Sequence, residues 1–520
     1  MFLHPTSPQH RPRRGTARTG SSRRTAAAVL TVLAAASAVA MGAPSAMAEY
    51  VGGPGTNCFW HYGPFGVGSG KENVAFPEAN ANYWASIYVR PPGSTLKLKG
   101  TYPHARYMSI ITYRISGTPL DGLADYQIKP DAGSTNPFVP GNRRDARRRS
   151  FTLNLVAGVN PGYTLNGVAG LPARNDLYVE DAVPTVEQTP VGPMNLEGMV
   201  VRVYAPDRGT GLRGGVEMPL PELTLADGTT LTGQAACDAI DAEAKRLGTP
   251  RLPDPNGLHL DTTTYRALRY PDRLGTACNV LIRGCPTDLT LPDALVQVPR
   301  PVPATFPATD PPVWRAAYDR RYQLQLYTGD DAPGANAHPI RDPIANPTRG
   351  FFGNIHNAYL EMAINRRLGK VVVVRGKLPT TPATSRGEKR MGRGQMRYWS
   401  LCETEAVVTG ATNFCVDDEQ VRTDRRGYYT IVVSRRADRP RSVGAAHGIT
   451  WLRWSPTGDG DLDRDWGRLV VRNMLPLTSF AHSIQKTHTA GDEQAVLGPY
   501  LPIVTYFKDA AAFDRAHRHG

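Results

Sequence analysis

Short runs of alternating apolar and polar residues, separated by clusters of turn-forming residues, recur through the first half of the chain. Clear examples lie at residues 96–99, 150–156 and 199–204. This spacing is typical of an antiparallel β-sandwich or barrel. In a further run, at 106–113, both alternating sets of side chains include apolar residues. We therefore expect a central strand that is covered on both faces.

Four blocks of the first half recur in the same order in the second half. They are residues 96–100 and 372–376, 106–109 and 397–400, 125–131 and 418–424, and 200–206 and 470–476. The third pair shares the pattern D-x-Q-[I/V]-[K/R]-x-D, and the fourth begins with Val-Val-Arg. Ordered matches of this kind indicate an internal duplication. The predicted fold class is mainly β: two related antiparallel β-sandwich repeats with a mixed α and irregular connecting segment.

The segment at residues 207–345 has no counterpart in this duplication. Residues 232–247 predict a helix, because helix-forming residues fill it and glycine and proline follow it. The prolines at 291–313 predict a stiff, extended linker. Helical spacing of apolar residues predicts two more helices, at 312–327 and 354–366.

Residues 1–48 have the three parts of an export signal. A basic stretch is followed by an apolar run, and Ala-Met-Ala at 46–48 provides the small residues of a cleavage site. The apolar run is short for a membrane span of ~20 residues. No second candidate follows it, so we expect no transmembrane segment after cleavage. Ser-Arg-Arg at 22–24 resembles the twin-arginine motif, which leaves the general and the twin-arginine export routes both open.

The chain therefore divides into four parts. They are the export signal at 1–48, the first repeat with its lead-in at 49–206, the connecting segment at 207–345, and the second repeat with its tail at 346–520. We expect the mature protein to be secreted, either free outside the cell or associated with the cell wall.

The net charge changes this picture little. The formal net charge of the whole chain is +14. Six of the arginines lie in the export signal, which contains no acidic residue. The remaining basic excess is moderate and spread out, whereas nucleic-acid binding usually requires a concentrated basic patch. Weak attraction to anionic polymers fits better.

The cysteines after the export signal are Cys58, Cys237, Cys278, Cys285, Cys402 and Cys415. An even number in an exported chain indicates disulfides, and six cysteines allow 15 pairings. We favour Cys402–Cys415, because both residues lie between matched blocks of the second repeat. Cys237 lies on the helix predicted at 232–247 and should anchor it. The other pairings stay open.

Four aspartates alternate along one short segment: Asp459, Asp461, Asp463 and Asp465. Carboxylates at alternate positions can converge on one hard cation, so calcium is the one cofactor that the sequence suggests. The match to a calcium loop is partial, because Arg464 stands where such a loop has glycine. The alternative is an acidic hairpin tip that Arg464 and Arg468 neutralise.

Both copies of the duplication keep a set of polar residues: Arg106, Asp125, Gln127 and Arg202 in the first, and Arg397, Asp418, Gln420 and Arg472 in the second. We favour a structural role, because arginine–carboxylate pairs can clamp strand ends or turns. The alternative is a pair of equivalent ligand-binding sites.

A further group of residues is not duplicated and has side chains suited to catalysis. If the two repeats face each other, the cleft between them is a natural place for a site. His104 or His356 would be the general base there, and Glu361 the acid or the orienting group. The alternative is that each histidine is a hydrogen-bonded structural residue.

The duplicated elements also carry a resemblance. The Arg-Tyr-[Met/Trp]-Ser strand, the D-x-Q-[I/V] element and the Val-Val-Arg strand resemble those of uncharacterised exported actinobacterial proteins with a duplicated β-sandwich unit. This resemblance implies an exported protein with two sandwiches, and it implies no activity and no site residues.

The favoured function is that of a secreted or envelope-associated protein that binds a glycan, another extracellular polymer or a small molecule. Its support is the duplicated β scaffold and a set of tryptophans that can stack on sugar rings if exposed, the alternative being that they belong to the core: Trp60, Trp84, Trp399, Trp451, Trp454 and Trp466. The alternative is a secreted hydrolase or lyase with its site in the cleft between the repeats. The sequence contains no G-x-S-x-G elbow, no H-E-x-x-H helix and no dinucleotide fingerprint. Neither catalysis nor an oligomeric state follows from the sequence.

Overall fold

The computed structural model describes residues 56–67, 73, 75–113, 119–158, 160, 171–179, 187–189, 192–194, 197–247, 308–316, 353–406, 409–488 and 491–517. They belong to one compact unit, Pro44–Gly520, whereas the other unit, Met1–Ala43, contains none of them. The export signal, Cys278, Cys285 and most of the proline-rich stretch lie outside the described residues.

Strands of the first half form two stacked sheets. The strands are β1 (Tyr62–Phe65), β2 (Ala81–Tyr88), β3 (Thr95–Thr101), β4 (Ala105–Tyr113), β5 (Pro119–Ala124), β6 (Ser150–Ala157), β7 (Asp176–Val179), β8 (Glu187–Thr189), β9 (Gly192–Met194), β10 (Glu197–Pro206), β11 (Leu220–Thr224) and β12 (Thr230–Thr232). Sheet I has the order β1-β2-β10-β4-β5, and sheet II has the order β12-β11-β3-β6-β7. β8 and β9 form a separate hairpin. The pairing is antiparallel except between β6 and β7.

Sheets I and II enclose the first hydrophobic core. Met108 and Ile110 of β4 point into it and meet Trp84 of β2 and Leu153 of β6. Burying each side chain of this size stabilises the fold by roughly 1.5–3 kcal/mol. The opposite face of β4 is also buried. The prediction of a central strand covered on both faces is therefore confirmed.

The helix predicted at 232–247 is present as α1 (Gln234–Arg246). Ile240 packs it against the first core. Its Cys237 forms a disulfide with Cys58 in the N-terminal lead-in. The helix is therefore fixed to the sandwich both by packing and by a covalent bond.

Strands of the second half form a second pair of sheets. The elements are β13 (Arg315–Ala316), β14 (Asn357–Asn365), β15 (Val371–Lys377), β16 (Tyr398–Thr404), β17 (Thr412–Asp417), β18 (Tyr428–Ser434), β19 (Thr450–Arg453), β20 (Trp466–Met474), α2 (Glu493–Leu497), β21 (Ile503–Phe507) and α3 (Ala510–Ala516). Sheet III has the order β13-β14-β20-β16-β17, and sheet IV has the order β19-β18-β15-β21. Apolar side chains such as Leu401, Ile431 and Val471 fill the core between them.

The second sandwich repeats the strand order of the first. Sheet III matches sheet I strand for strand, and β21, β15, β18 and β19 match β11, β3, β6 and β7. The matched pairs β6–β7 and β18–β19 are both parallel. Ala205 and Leu475, which precede matched prolines, both have positive φ, at 42° and 46°. The predicted fold class, mainly β with two related antiparallel sandwiches, is therefore confirmed.

The helix predicted at 354–366 is wrong, because residues 357–365 form strand β14. Leu360, Met362 and Ile364 alternate along this strand and face the second core. Residues on the opposite face are largely buried as well, so apolar residues occur on both faces and imitate a helical period. The helix predicted at 312–327 is wrong at Arg315–Ala316, which pairs with β14 as a short strand, and residues 317–327 lie outside the described residues.

The segment between the two duplicated blocks contributes strands to both sandwiches. β11 pairs with β3 in sheet II, so the first sandwich continues beyond residue 206, where the sequence analysis ended the first repeat. β13 pairs with β14 in sheet III, ahead of residue 346. Among the described residues, no helix combines the length and apolar character needed to cross a membrane.

The two sandwiches pack together through the outer faces of sheets I and III. Tyr107 and Tyr204 of sheet I form one buried cluster with Tyr398 and Met474 of sheet III. A Cβ atom on Gly122 would lie 2.7 Å from the Cδ1 atom of Ile355, so the packing beside this cluster requires glycine. We call this contact region the interface layer.

Candidate functional site

Two arginines of the duplicated set cross the interface layer reciprocally. Nη1 of Arg106, in the first sandwich, donates to Oδ2 of Asp418, in the second sandwich, at 2.8 Å. Nη1 of Arg397, in the second sandwich, donates to Oδ1 of Asp125, in the first sandwich, at 2.9 Å. The two arginine side chains are at most 9% exposed and the two aspartates at most 1%. Charges buried this deeply require close partners, and here each partner belongs to the other repeat.

The repeated aspartates and glutamines also fix their own loops. Asp125 accepts the backbone amide of Met108 at 2.8 Å, and Asp418 accepts that of Trp399 at 3.0 Å. Gln127 Oε1 accepts the backbone amide of Ala124 at 3.0 Å. Gln420 Oε1 contacts the amide of Asp417 at 3.3 Å in the matched loop. The aspartates and glutamines of both copies are therefore engaged within the chain, as the structural interpretation expects.

The interface carboxylates have strongly displaced pKa values. Burial raises the pKa of Asp125 to about 6, although Arg397 acts in the opposite direction. Burial and the neighbouring Asp418 raise the pKa of Asp417 to about 7. Burial opposes ionisation of Glu419 as well, yet Arg106 and hydrogen bonds from Ser385 and Thr384 lower its pKa to about 2.

Between these ion pairs lie the arginines of the two Val-Val-Arg strands. Arg202 on β10 stands opposite Tyr83 on β2 and Ser109 on β4. We call these three residues half-site one. Half-site two is the matched set in the second sandwich: Arg472, Tyr359 and Ser400. Both arginines and both serines are buried, whereas the two tyrosines are half-buried.

Half-site two contains a carboxylate from the other sandwich. Glu78, which precedes β2, accepts hydrogen bonds from Arg472 Nη1 at 3.0 Å and from Ser400 Oγ at 2.6 Å. Arg472 Nη2 donates to the carbonyl oxygen of Phe76 at 2.8 Å. Burial alone would lower the pKa of Arg472, but Glu78 and nearby tyrosines raise it. The ion pair is completely enclosed, so half-site two is neutralised within the chain.

Half-site one has an amide where half-site two has that carboxylate. Glu78 lies five residues before Tyr83, and Asn354 lies five residues before Tyr359. The equivalence extends to the backbone, where residues two beyond each, Asn80 and His356, accept the matched amides of Ala205 and Leu475. Asn354 therefore occupies the position toward Arg202 that Glu78 occupies toward Arg472.

Tyrosines surround the guanidinium of half-site one. Arg202 lies over the rings of Tyr83 and Tyr113, with Cζ 5.7 Å and 5.5 Å from their centroids. Burial alone would lower its pKa, but Tyr113, Tyr204 and Tyr83 raise it. Burial raises the pKa of Tyr204 to about 12. Arg202 is therefore charged and the tyrosines are neutral at physiological pH.

His356 lies beside half-site one, as the hypothesis of a site between the repeats requires. Its Nδ1 atom is 2.7 Å from the hydroxyl oxygen of Tyr107, and that hydroxyl is 3.2 Å from Asn354 Oδ1. Burial, followed by the charge of Arg202, lowers the pKa of His356 to about 3. A neutral imidazole with this pKa is a weak general base at neutral pH.

The other two candidate catalytic residues have different surroundings. His104 contacts Arg149 through Nδ1 at 3.0 Å, and burial followed by that arginine lowers its pKa. Glu361 pairs with Arg468 at 3.5 Å, and both are buried. Glu361 shares the outer face of β14 with Tyr359. Among the described residues, His104 and His356 have different hydrogen-bond partners, Arg149 and Tyr107.

The acidic segment forms a loop in which the carboxylates are bound by the chain itself. Asp459 Oδ1 accepts the backbone amides of Asp461 and Asp463 at 2.8 and 3.1 Å. Asp465 lies 3.3 Å from Arg366, whereas Arg468, expected to neutralise this loop, pairs with Glu361 instead. Calcium binding at this loop stays a prediction.

The described part of the chain contains one group of three potential metal ligands within 4.8 Å of one another, and it does not include these aspartates. It consists of Glu78, Cys402 and Cys415. Cys402 and Cys415, opposite each other on β16 and β17, form the disulfide that the sequence analysis favoured. Glu78 is engaged by Arg472. In this disulfide-bonded form the group offers no thiolate ligands.

The tryptophans do not form the exposed sugar-binding platform that the sequence suggested. Trp60, Trp84, Trp399, Trp454 and Trp466 are all at most 3% exposed. Trp451 is half-buried and packs against the Arg439 guanidinium at 4.6 Å. The alternative, that these residues belong to the cores, is correct for the five buried tryptophans.

The residues that make the two half-sites different were missed by the sequence analysis. Glu78, Asn354, Tyr83 and Tyr359 lie upstream of the first matched block in each repeat, so the detected duplication did not include them. Extending the alignment of the two copies upstream would have paired the tyrosines and exposed the change from glutamate to asparagine.

Comparisons with known proteins give no family. No family model matches the chain, and no curated protein matches it. The chain is similar to an uncharacterized protein from Burkholderia cenocepacia, at 13% identity over 84% of this chain and 79% of that one, with a TM-score of 0.37. It is also similar to the VPA0106 protein from Vibrio parahaemolyticus, at 10% identity over 85% of this chain and 94% of that one, with a TM-score of 0.35. We draw no functional conclusion from these matches.

Proposed function

We propose that this is an exported or cell-envelope-associated protein that binds a ligand in the interface layer, at half-site one. The observation that carries the proposal is the burial of Arg202 among tyrosines between the two sandwiches. Arginine attracts aromatic rings and polar ligands alike, and binding sites are often apolar clefts with a few convergent polar groups. The disulfides are compatible with export, because disulfides persist in oxidising compartments.

The ligand class in this proposal is a small molecule or the end of an extracellular polymer such as a glycan. With five of the tryptophans in the cores, we place recognition at the interface layer, where Tyr83 and Tyr359 are half-buried. Tyrosine rings provide apolar surface for a sugar or another ring.

A hydrolase or lyase at the same place is the second candidate. The observation in its favour is the contact between His356 and Tyr107 beside half-site one. The low pKa of His356 makes binding the better-supported function, and the same experiment distinguishes the two.

The test is a thermal-shift screen of the exported full-length protein against neutral, acidic and basic sugars and ring compounds. We expect at least one class to raise the melting temperature. A ligand at 100 times its dissociation constant stabilises the folded state by ~2.7 kcal/mol. Tyr83→Ala should abolish the shift, because this ring lies beside Arg202 in half-site one.

The matched control is Tyr428→Ala, since Tyr428 is also half-buried but stacks on Arg375 at the protein surface. That variant should keep the ligand response. A screen without any shift, or a shift that survives Tyr83→Ala, would contradict the proposed site. Consumption of the stabilising compound, followed by chromatography, would favour the enzyme.

A further inference from the structure

Two basic loops, one from each sandwich, meet at the edge of the interface layer. Loop one is residues 141–149 of the first sandwich, and loop two is residues 385–393 of the second. We propose that the surface they form together, which we call the basic surface, binds an acidic polysaccharide through its carboxylates. The basic surface contains no residue of half-site one, and binding there is a second function beside the one proposed above.

The basic charge of the chain after residue 48 is concentrated in these two loops. The whole chain has a formal net charge of +14, and the six arginines of the export signal leave +8 for the rest. The two loops contain nine basic and two acidic residues, a net charge of +7. Along the sequence this charge is divided between distant segments, since 244 positions separate Arg144 from Glu388. The fold therefore builds a concentrated basic surface that the sequence analysis did not predict.

Backbone hydrogen bonds join the two loops as a short antiparallel ribbon. The amide of Gly141 donates to the carbonyl oxygen of Met391 at 2.8 Å, and the amide of Met391 donates to the carbonyl oxygen of Asn142 at 3.0 Å. In this ribbon Arg143 stands opposite Arg390, and both side chains are exposed. Like charges directly opposite each other are destabilising. The pairing therefore favours an anion over the ribbon.

A buried arginine fixes the shape of the basic surface. Arg144 is 4% exposed, and its Nη1 donates to the carbonyl oxygens of Thr384 and Glu388 at 3.2 and 3.1 Å. Its Nη2 donates to the carbonyl oxygen of Ala105 at 3.2 Å and pairs with the carboxylate of Asp207. Arg144 therefore ties loop one both to loop two and to the start of β4. A surface that is ordered before binding loses less conformational entropy when a ligand binds.

The exposed cations of the basic surface are mostly arginines: Arg143, Arg147, Arg148, Arg386, Lys389, Arg390 and Arg393. In the described part of the chain, Arg143 alone among these seven forms an ion pair, with Asp145 of its own loop. Arg390 Nη1 donates to the carbonyl oxygen of Gly141 at 2.7 Å, which holds its guanidinium beside loop one. A planar guanidinium can bind a carboxylate through two parallel hydrogen bonds. An array of such groups fits a polymer that repeats its carboxylates.

The residues around these cations favour a polysaccharide over a nucleic acid. Neither loop contains an aromatic residue, whereas proteins that bind single strands combine a basic groove with aromatic side chains that stack on the bases. Neither loop contains a helix or an extended strand, the elements that enter the major groove of DNA. The export predicted for this chain would also bring the basic surface into contact with extracellular polymers.

The experiment measures the binding of polygalacturonate to the exported full-length protein by isothermal titration calorimetry. Dextran is the neutral polymer, and single-stranded DNA is the anionic polymer of the other class. We expect polygalacturonate to bind more tightly than DNA and dextran not to bind. Raising the NaCl concentration to about 0.15 M should weaken the binding of polygalacturonate, because salt screens exposed charges.

The test variant removes four exposed charges from the basic surface: Arg147→Gln, Arg148→Gln, Arg386→Gln and Lys389→Gln. It keeps the buried anchor and should weaken polygalacturonate binding by roughly tenfold or more.

The control variant removes three arginines and one lysine that are exposed elsewhere: Arg436→Gln, Arg441→Gln, Lys508→Gln and Arg515→Gln. These residues follow the strand positions that pair with Val371, at the start of β15, whereas loop two follows the end of β15. The control variant has the same net charge as the test variant, and it should keep the wild-type affinity.

Three results would overturn the inference. The first is an absence of polygalacturonate binding at low salt. The second is an equal loss of affinity in the test and control variants, because binding would then follow net charge and not the basic surface. The third is tighter binding of DNA than of polygalacturonate, which would make a nucleic acid the partner. If the test variant fails to fold, Arg147→Gln with Arg386→Gln, one substitution in each loop, replaces it and should also weaken binding.

Discussion

A single pair of residues, Glu78 and Asn354, separates two otherwise matched arginine sites. In half-site two, the carboxylate satisfies Arg472 and Ser400 within the chain. In half-site one, the matched residue is Asn354, whose side chain carries no charge. The two copies therefore keep the arginine and the serine and differ in the residue that comes from the other sandwich.

The two copies also differ at a second position, where the second repeat has His356 and the first has Asn80. Its pKa is lowered to about 3, against ~6.5 for an ordinary histidine. Between these values the unfolded chain binds a proton that the folded chain does not. The stability that neutral His356 contributes is therefore complete above pH ~6.5 and is lost as the pH falls towards 3.

We predict that His356→Asn weakens the dependence of stability on pH. Wild-type protein should lose melting temperature between pH 6.5 and pH 4 partly through this group, and the variant should lose less over the same interval. Melting curves measured by circular dichroism in steps from pH 8 to pH 4 test this expectation. His447→Asn is the control, because His447 is exposed and should leave the profile unchanged. Parallel profiles for wild type and His356→Asn would refute the prediction.

At the scale of single elements, the hairpin formed by β16 and β17 is closed by a disulfide with no equivalent in the first repeat. Cys402 and Cys415 face each other in register and are 13 residues apart in sequence. In the chain-entropy model, closing a loop of this size lowers the entropy of the unfolded chain and so stabilises the folded state by about 3 kcal/mol. The bridge adds stability to a hairpin that already has its ladder of hydrogen bonds.

We predict that Cys402→Ala with Cys415→Ala lowers the free energy of unfolding by about 3 kcal/mol. Cys58→Ala with Cys237→Ala should cause a larger loss of free energy of unfolding than the first pair of substitutions, because this second bridge spans a sequence separation of 179 residues. Urea unfolding followed by tryptophan fluorescence measures both losses. The reverse order of the two losses would show that strain or packing, and not loop closure, dominates at these bridges.

The elements also show what the sequence can and cannot predict. Periodicity identified β4 and helix α1, because each has a pattern that only one kind of element buries. It failed for β14, whose covered faces place apolar residues on both sides. The repeated letters identified Arg106, Asp125, Arg397 and Asp418, but not their partners. Those partners lie in the other sandwich, and no local pattern encodes a contact across 272 or 312 residues.

At the scale of the whole molecule, the interface layer joins the sandwiches by reciprocal contacts. The repeated arginine lies near the start of β4 in the first repeat and just before β16 in the second. In each case its side chain pairs with the aspartate of the other repeat. Each arginine also donates to the backbone of the other. Arg106 Nη1 lies 3.4 Å from the carbonyl oxygen of Arg397, and Arg397 Nη1 lies 3.3 Å from the carbonyl oxygen of Arg106. Neither sandwich can satisfy its buried aspartate alone, so the two should be stable only together.

We predict that the wild-type protein unfolds in a single calorimetric transition and that Arg106→Met with Arg397→Met divides it into two. Each substitution leaves a buried carboxylate, Asp418 or Asp125, without its arginine, and breaking a buried pair in this way costs roughly 3–5 kcal/mol. That loss falls on the contact between the sandwiches, because both pairs cross it, while each hydrophobic core is untouched. Arg375→Met, which breaks an exposed pair within the second sandwich, should keep one transition near the wild-type temperature. Two separate transitions in the wild-type protein would show that the sandwiches are stable independently, and the ion pairs would then have to serve the geometry of the half-sites and not the cohesion of the molecule.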